Sequence, residues 1–300
     1  MTQLAPLPVG RPSRLVYLGT PAMAVPPLEA LVAHGFEVAL VVTRADKRRG
    51  RGSELTASPV KAAAQRLGLP VTHRVDDVIG AGADLGVVVA FGQLIKEPVL
   101  AAVPMVNLHF SLLPRWRGAA PVERSLLAGD EVTGVALMQL ELGLDTGGVI
   151  DVIEVPIGPS QTADELRRRL VDVGTDLLVR NLARGLGAPV PQSGEPTYAA
   201  KLDPAEFEID WRRPADEIGR LVRLGTAWTT YRSKRLKVLG VEVLPDSGSA
   251  GSLLDQTTVA AWQGAVRLTT VQPEGKPAMA AAAWANGARP TPGERLGRPS

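Results

Sequence analysis

Asn107, His109 and Asp145 carry side chains whose types and spacing suit proton transfer beside a developing oxyanion. Asn107 and His109 stand two residues apart at the end of an apolar run. A strand continued through them points both side chains to one face. Asp145 follows in Leu142-Gly143-Leu144-Asp145-Thr146-Gly147-Gly148, a carboxylate flanked by glycines. An amide, an imidazole and a carboxylate in one pocket are what acyl transfer to an amine needs when no covalent intermediate is used. Taken singly, each has a plainer reading: His109 as a satisfied structural histidine, Asp145 as a turn residue. The stretch after His109, Ser111-Leu-Leu-Pro114-Arg-Trp-Arg-Gly-Ala-Ala-Pro121, sets turn residues, a tryptophan and two arginines directly behind a buried strand.

The rest of the chain bounds the chemistry. With no cysteine in 300 residues, disulfides, thiolate nucleophiles and cysteine-type zinc sites are all excluded. The histidines, His34, His73 and His109, are scattered without metal-ligand spacing, so no metal is expected. Hydrophobic residues make up 45% and aromatics only 4%, which predicts a core of Leu, Val, Ile and Ala. No apolar run of about eighteen residues and no secretory leader are present, which predicts a cytoplasmic protein that does not enter a membrane. The net charge of +2 is uneven. Residues 201–300 hold 14 basic and 11 acidic residues, and Arg44-Ala-Asp46-Lys47-Arg48-Arg49-Gly50-Arg51 carries five positive charges and one negative. A basic patch on a near-neutral domain favours a polyanionic partner, although a charge run is also what a solvated face looks like.

These groups need elements to position them. Unalternating apolar runs at 14–19, 36–42, 85–90 and 103–109, separated by helical stretches, predict a parallel sheet covered on both faces. The fold class is therefore an α/β, doubly wound, mostly parallel sheet, Rossmann-like, whose crevice lies beyond the carboxyl ends of its strands. Phe91-Gly-Gln-Leu-Ile95, the Asn107/His109 pair and the Leu140–Asp145 loop are all expected at such ends. Further strands are read at 135–140 and 149–157, and an amphipathic helix at 163–184. Residues 1–188 are read as the catalytic domain (1–13 a loose leader), and 189–200, rich in Pro and Gly, as a linker. Residues 201–300 are read as a smaller β-barrel domain, OB-like, from short strands at 228–231, 236–243, 257–261 and 265–271, with a loose end from Ala285. Gly19-Thr20-Pro21 lacks the spacing of a nucleotide loop and reads as a tight turn.

Asn107 to Pro121 with Gly143-Leu-Asp-Thr-Gly147 resembles the folate-dependent formyltransferases. The resemblance extends through Gly19-Thr20-Pro21, Ser58-Pro59-Val60-Lys61, Ala90-Phe-Gly-Gln-Leu-Ile95, Thr197-Tyr-Ala-Ala-Lys201, Ile209-Asp-Trp211 and Val271-Gln-Pro-Glu-Gly-Lys276. The basic loop and the C-terminal domain are similar to the branch that acts on tRNA. Two stretches, 223–228 and 251–265, are shorter than that pattern.

The resemblance implies 10-formyltetrahydrofolate as donor and the α-amino group of methionyl initiator tRNA as acceptor; a monomer is the default expectation. It implies Asn107, His109 and Asp145 as catalytic residues. An ammonium has no lone pair, so the acceptor must lose a proton. An imidazole, titrating at about pH 6.5, suits that task, and Asp145 would orient it. The Asn107 amide suits the oxyanion. Which of His109 and Asp145 delivers each proton is open. The donor is expected against Phe91, Gly92, Gln93, Leu94 and Ile95, against Leu140 and Gly143, and against Ser111, Leu112, Leu113 and Pro114, where a purely structural turn is an equal reading. The tRNA is expected against Arg44, Lys47, Arg48, Arg49 and Arg51, and against Arg232, Lys234 and Arg235, whose neighbour Lys237 extends the same cluster. The rival substrate is a small amine, an amino sugar nucleotide or glycinamide ribonucleotide; a small acceptor needs neither the basic loop nor a basic second domain. A catalytically silent tRNA-binding module is a third reading, disfavoured because all three polar positions are present.

Overall fold

The continuous apolar runs become strands because each is buried on both faces, so no alternation is needed. In the computed structural model, which describes residues 4–48 and 55–297, the chain runs β1 (Arg14–Gly19), α1 (Val25–Ala33), β2 (Glu37–Val42), β3 (Lys47–Arg48), β4 (Leu55–Thr56), α2 (Pro59–Arg66), β5 (Val71–Thr72) and β6 (Leu85–Val89). It continues through α3 (Glu97–Ala102), β7 (Met105–His109), β8 (Arg117–Gly118), α4 (Pro121–Ala128), β9 (Val132–Gln139), β10 (Val149–Pro156), α5 (Ala163–Arg184) and β11 (Tyr198–Ala199). Two units result, one of residues 1–121, 132–156 and 167–200, the other of 122–131, 157–166 and 201–300.

The first unit is built on a seven-stranded sheet in the order β5-β2-β1-β6-β7-β9-β10. The five strands from β5 to β7 are parallel, while β9 alone is reversed, antiparallel to both β7 and β10. The chain winds outward from β1 to β2 and β5, then returns to β6 on the other side, so the switch point of the sheet lies between β1 and β6. Val16, Leu18, Val88 and Met105 from adjacent strands pack with Val99 and Leu100 of α3 in one core cluster. On α5, Gly174 lets the helix lie close to the sheet, since a Cβ there would meet Val135 at 3.0 Å and Leu108 at 3.2 Å.

The direction of β9 corrects one expectation. Its last residue, Gln139, pairs with Val106 at the start of β7, so the 140–148 turn does not leave from the carboxyl edge of the parallel strands. Residues 4–13 are not loose: Leu4 packs on the core, the Ala5 N–H donates to the Leu100 carbonyl at 3.0 Å, and the Arg11 guanidinium lies 4.6 Å over the Phe36 ring. The 189–200 segment runs along the first unit. Val190 bridges Val149 through two hydrogen bonds of 2.8 Å, and β11 pairs with β8.

The second unit adds α6 (Ala215–Val222), β12 (Trp228–Tyr231), β13 (Lys234–Leu244), β14 (Thr258–Ala260), β15 (Ala265–Pro273), β16 (Met279–Ala280) and α7 (Ala281–Ala288). Its antiparallel sheet has the order β12-β13-β15-β14, with β16 on β15. Register shifts on β13 around Gly240 bend the long strand and curl the sheet, as a small OB-like barrel requires. Gly240 suits the bend, because a Cβ there would lie 2.7 Å from the Thr269 hydroxyl. Trp211, Tyr231, Val238, Leu268 and Trp284 form its core. Residues 285–297 are tied down, against the expectation of a loose end: Leu296 is buried and the Tyr231 hydroxyl donates to Glu294 at 2.6 Å. Among the described residues no helix is long and apolar enough to cross a membrane.

Candidate active site

β7 ends in Asn107-Leu108-His109, and strand geometry puts the two polar side chains on the same face, both nearly buried. β6 beside it aligns Val88 with Asn107, so the Phe91–Ile95 loop leaves from the neighbouring carboxyl end. Because β9 runs against β7, the 140–148 turn must double back over this face to reach the two side chains. It does so in a conformation that few residues accept. Asp145 itself has φ +50°, and a Cβ on Gly148 would lie 2.8 Å from Pro189, while one on Gly147 would overlap the Gln139 carbonyl. The glycines after Asp145 therefore serve close approach.

The turn brings the carboxylate to the centre of the pair. Asp145 Oδ1 is 3.5 Å from Asn107 Nδ2, and Oδ2 is 3.7 Å from His109 Nδ1. Oδ2 also accepts the Gly118 backbone N–H at 2.7 Å, the shortest and best-defined of these contacts. On the far side of the ring, His109 Nε2 lies 2.9 Å from the Trp116 carbonyl. A carbonyl only accepts, so Nε2 carries the hydrogen and Nδ1 faces the carboxylate. Trp116 presents that carbonyl from a left-handed backbone, φ +62°, and Ala90 at the end of β6 is left-handed as well, φ +46°. Non-glycine residues held there cost about 1–3 kcal/mol each, and such strain concentrates at functional sites. An amide donor, an imidazole with one nitrogen committed and a carboxylate within 4 Å can hold a proton and stabilise an anion.

The other expected residues divide clearly. Phe91 and Ile95 are buried in the core cluster, whereas Gly92, Gln93 and Leu94 are exposed, Leu94 at 78%. The Thr20 hydroxyl donates to the Phe91 carbonyl at 3.2 Å across the switch point. Ser111 is fully buried and donates to the Arg115 carbonyl at 2.6 Å, which holds the turn containing Leu113 and Pro114. Leu112 packs where Gly134 leaves β9 bare. Leu140 is half-buried against the core, and Gly143 is exposed.

Arg44 donates to the Gly92 carbonyl, tying the end of β2 to the loop after β6. Asp46, beside it, pairs with Lys61 of α2 at 2.6 Å. Lys47 and Arg48 form β3, paired with β4; Arg49 and Arg51 lie outside the described residues. In the second unit, Arg232 is engaged within the fold, at 2.7 Å from Glu294 and 3.1 Å from the Ala288 carbonyl. Lys234 is exposed, and Arg235 lies 4.3 Å over the Trp228 ring. Arg235, Lys237, Gln272 and Glu274 line a shallow cleft. Among the described residues no cluster of three His, Asp or Glu could hold a metal ion.

One residue at the site escapes a reading of the sequence. Gln192, inside the expected linker, reaches the Asp145 turn with its side-chain amide. The only signal is its flanking prolines, Pro189 and Pro191, which favour extended backbone able to lie beside Val149.

The sequence matches the family model for formyl transferases over residues 13–182 and that for the formyl transferase C-terminal domain over residues 201–289. A methionyl-tRNA formyltransferase of Roseobacter denitrificans is 45% identical over 292 residues, covering 91% of this chain and 95% of that protein. One from Thermobifida fusca is 43% identical over 308 residues, covering 95% and 99%. Among solved structures, a methionyl-tRNA formyltransferase from Clostridium thermocellum has a TM-score of 0.57 at 14% identity, covering 76% of this chain and 92% of that one. An N-formyltransferase from Helicobacter canadensis has a TM-score of 0.66 at 16% identity, covering 85% and 98%. At such identities the structural likeness shows the fold alone.

Proposed function

This chain belongs to the formyl transferase family, and from that premise we propose that it formylates the free amino group of methionyl initiator tRNA, with 10-formyltetrahydrofolate as donor. The observation that carries the chemistry is the convergence of Asn107, His109 and Asp145 within 4 Å. The choice of acceptor rests on relatives of that name, similar over more than nine-tenths of the chain and so across both units.

The attacking amine must be neutral. Its nitrogen forms a bond to the formyl carbon, and the carbonyl electron pair moves onto oxygen. Asn107 Nδ2 is the donor for that oxyanion. The proton released by the amine is taken by His109 Nδ1, the ring atom not committed to Trp116, and Asp145 beside it stabilises the imidazolium. Collapse restores the carbonyl, breaks the bond to the folate N10 and returns a proton to that nitrogen. Phosphate contacts from Arg44, Lys47, Arg48, Arg49, Arg51, Lys234 and Arg235 supply affinity with little base reading. All three reacting-centre groups come from one chain, so a monomer suffices. The donor is placed against the exposed Gly92–Leu94 backbone and the 140–145 turn.

Incubation with 10-formyltetrahydrofolate and either charged initiator tRNA, elongator methionyl-tRNA or small amines tests the proposal. Initiator tRNA is the expected product-forming acceptor. Formylation of an amino sugar nucleotide or glycinamide ribonucleotide, with none of the charged tRNA, would replace it with the small-amine reading.

A further inference from the structure

Gln192 makes four polar contacts with one amide group. Its Nε2 donates to the carbonyls of Asp145 at 2.7 Å and Gly147 at 2.8 Å. Its Oε1 accepts from Arg117 Nη2 at 2.7 Å and Nε at 3.1 Å. The partners fix which way the amide points, because carbonyls only accept and a guanidinium only donates. A carboxylate at this position would set oxygen against two carbonyl oxygens. An aliphatic side chain would leave both carbonyls and the guanidinium without these bonds. Asparagine has the right chemistry on a side chain one methylene shorter.

We infer that Gln192 is a positioning residue that fixes the Asp145 carboxylate at the reacting centre. This role rests on the reading of Asp145 given under Proposed function. Two features make the turn dependent on an outside hold. Asp145 sits at φ +50°, a left-handed backbone that costs a non-glycine residue free energy, and its turn doubles back over the sheet from the opposite edge. Gln192 supplies that hold from both directions. It grips the backbone of the turn, and it grips Arg117, whose neighbour Gly118 donates the N–H that receives Asp145 Oδ2. One side chain thus sets the spacing between the carboxylate and its backbone donor. Gly118 is itself held in place, paired with Ala199 in β11, whose carbonyl accepts the next N–H, that of Ala119, at 2.9 Å.

The test uses the full-length enzyme with Gln192→Leu, Gln192→Glu, Asp145→Ala and the Asp145→Ala/Gln192→Leu pair, reading kcat and KM for both substrates. Q192L is expected to lower kcat roughly 10- to 100-fold with both KM values held, the loss typical of a misplaced reacting group. Q192E is expected to be worse at neutral pH and to recover relative to wild type at the same pH as the pH falls, because a protonated glutamic acid regains a donor for the carbonyls. Wild type has no such recovery. In the Asp145→Ala background Q192L should cost nothing further, since its effect passes through the missing carboxylate. Should Q192L lower the melting temperature sharply, the isosteric Q192E and its pH profile carry the test. Multiplicative losses in the double variant, or unchanged kcat in Q192L and Q192E, overturn the positioning role alone. An Asp145→Ala enzyme that turns over normally overturns the reading of the site itself, and the role of Gln192 with it.

Discussion

At the scale of single residues, the proposed site is a His–Asp pair with its tautomer set from outside. Trp116 holds His109 Nε2, and Gly118 holds Asp145 Oδ2, so the direct contact on each of the two side chains comes from a backbone group. His109→Ala and Asp145→Ala should abolish most turnover while tRNA affinity, measured directly, stays within a few-fold of wild type. A tenfold loss of tRNA binding with unchanged single-turnover rate would contradict those roles. Asn107→Ala should raise the barrier by about 3–4 kcal/mol if its amide meets the oxyanion. A smaller loss seen only in KM would make Asn107 a binding group. The identity of the trio is legible in the sequence because Asn-x-His at a strand end and Asp between glycines are spaced for one face and one turn. Gln192 is not, because a Pro-rich stretch reads as a linker and a glutamine carries no chemistry until its partners are known.

At the scale of elements, the strands and helices follow their sequence patterns closely, down to α5, which spans Ala163–Arg184. Burial on both faces leaves its mark in the apolar runs of β1, β6 and β7. Direction does not: the residues of β9 are equally apolar whichever way it runs, so its antiparallel course emerges only from its pairing with β7. The end of the chain shows the same limit in another form. From Ala285 the Gly, Pro and Arg content suggests slack, yet the charged groups there have specific partners across the fold. The Tyr231 hydroxyl and Arg232 hold the Glu294 carboxyl down from 4.5 to about 2. The same contact, after burial, pushes the Tyr231 hydroxyl up to about 12. A depressed carboxyl stabilises the fold above its unfolded value and loses that contribution as the pH falls through the folded value. Glu294→Gln should therefore be less stable than wild type at neutral pH, and the gap should close between pH 4.5 and about 2. Denaturant midpoints across that window measure it; a constant gap would mean the ion pair contributes nothing.

At the scale of the whole molecule, the two units differ in what they contribute. The first carries the groups proposed to react, Asn107, His109 and Asp145. The second has its own core around Trp211, Tyr231 and Trp284, and its segment 201–300 holds 14 basic residues against 11 acidic. Not all of those charges are available to a polyanion, since Arg232 is tied to Glu294. Neutralising Arg235 and Lys237 should weaken tRNA binding and reduce the slope of log affinity against log salt by about one for each phosphate no longer neutralised. Arg48→Ala/Arg49→Ala should do the same from the other unit. Arg232→Ala should instead lower stability and leave the slope unchanged. Equal slopes for all of these variants would mean that the basic residues are only a solvated surface.

The attachment of residues 189–200 has a consequence for how the protein ages under heat. This strip is held at one end by the Val149–Val190 bridge and at the other by the β8–β11 pairing, with Gln192 between them. Pro191 and residues 193–196 are exposed, so little apolar burial resists local opening. Peeling of the strip costs far less than melting the seven-stranded sheet beneath it, yet it releases the Asp145 turn. Catalysis should accordingly fail reversibly a few degrees below the calorimetric transition, with the Val190 amide exchanging hydrogen faster than those of β6 and β7. Stapling the strip to the sheet would then extend the working temperature of the enzyme without raising its melting point.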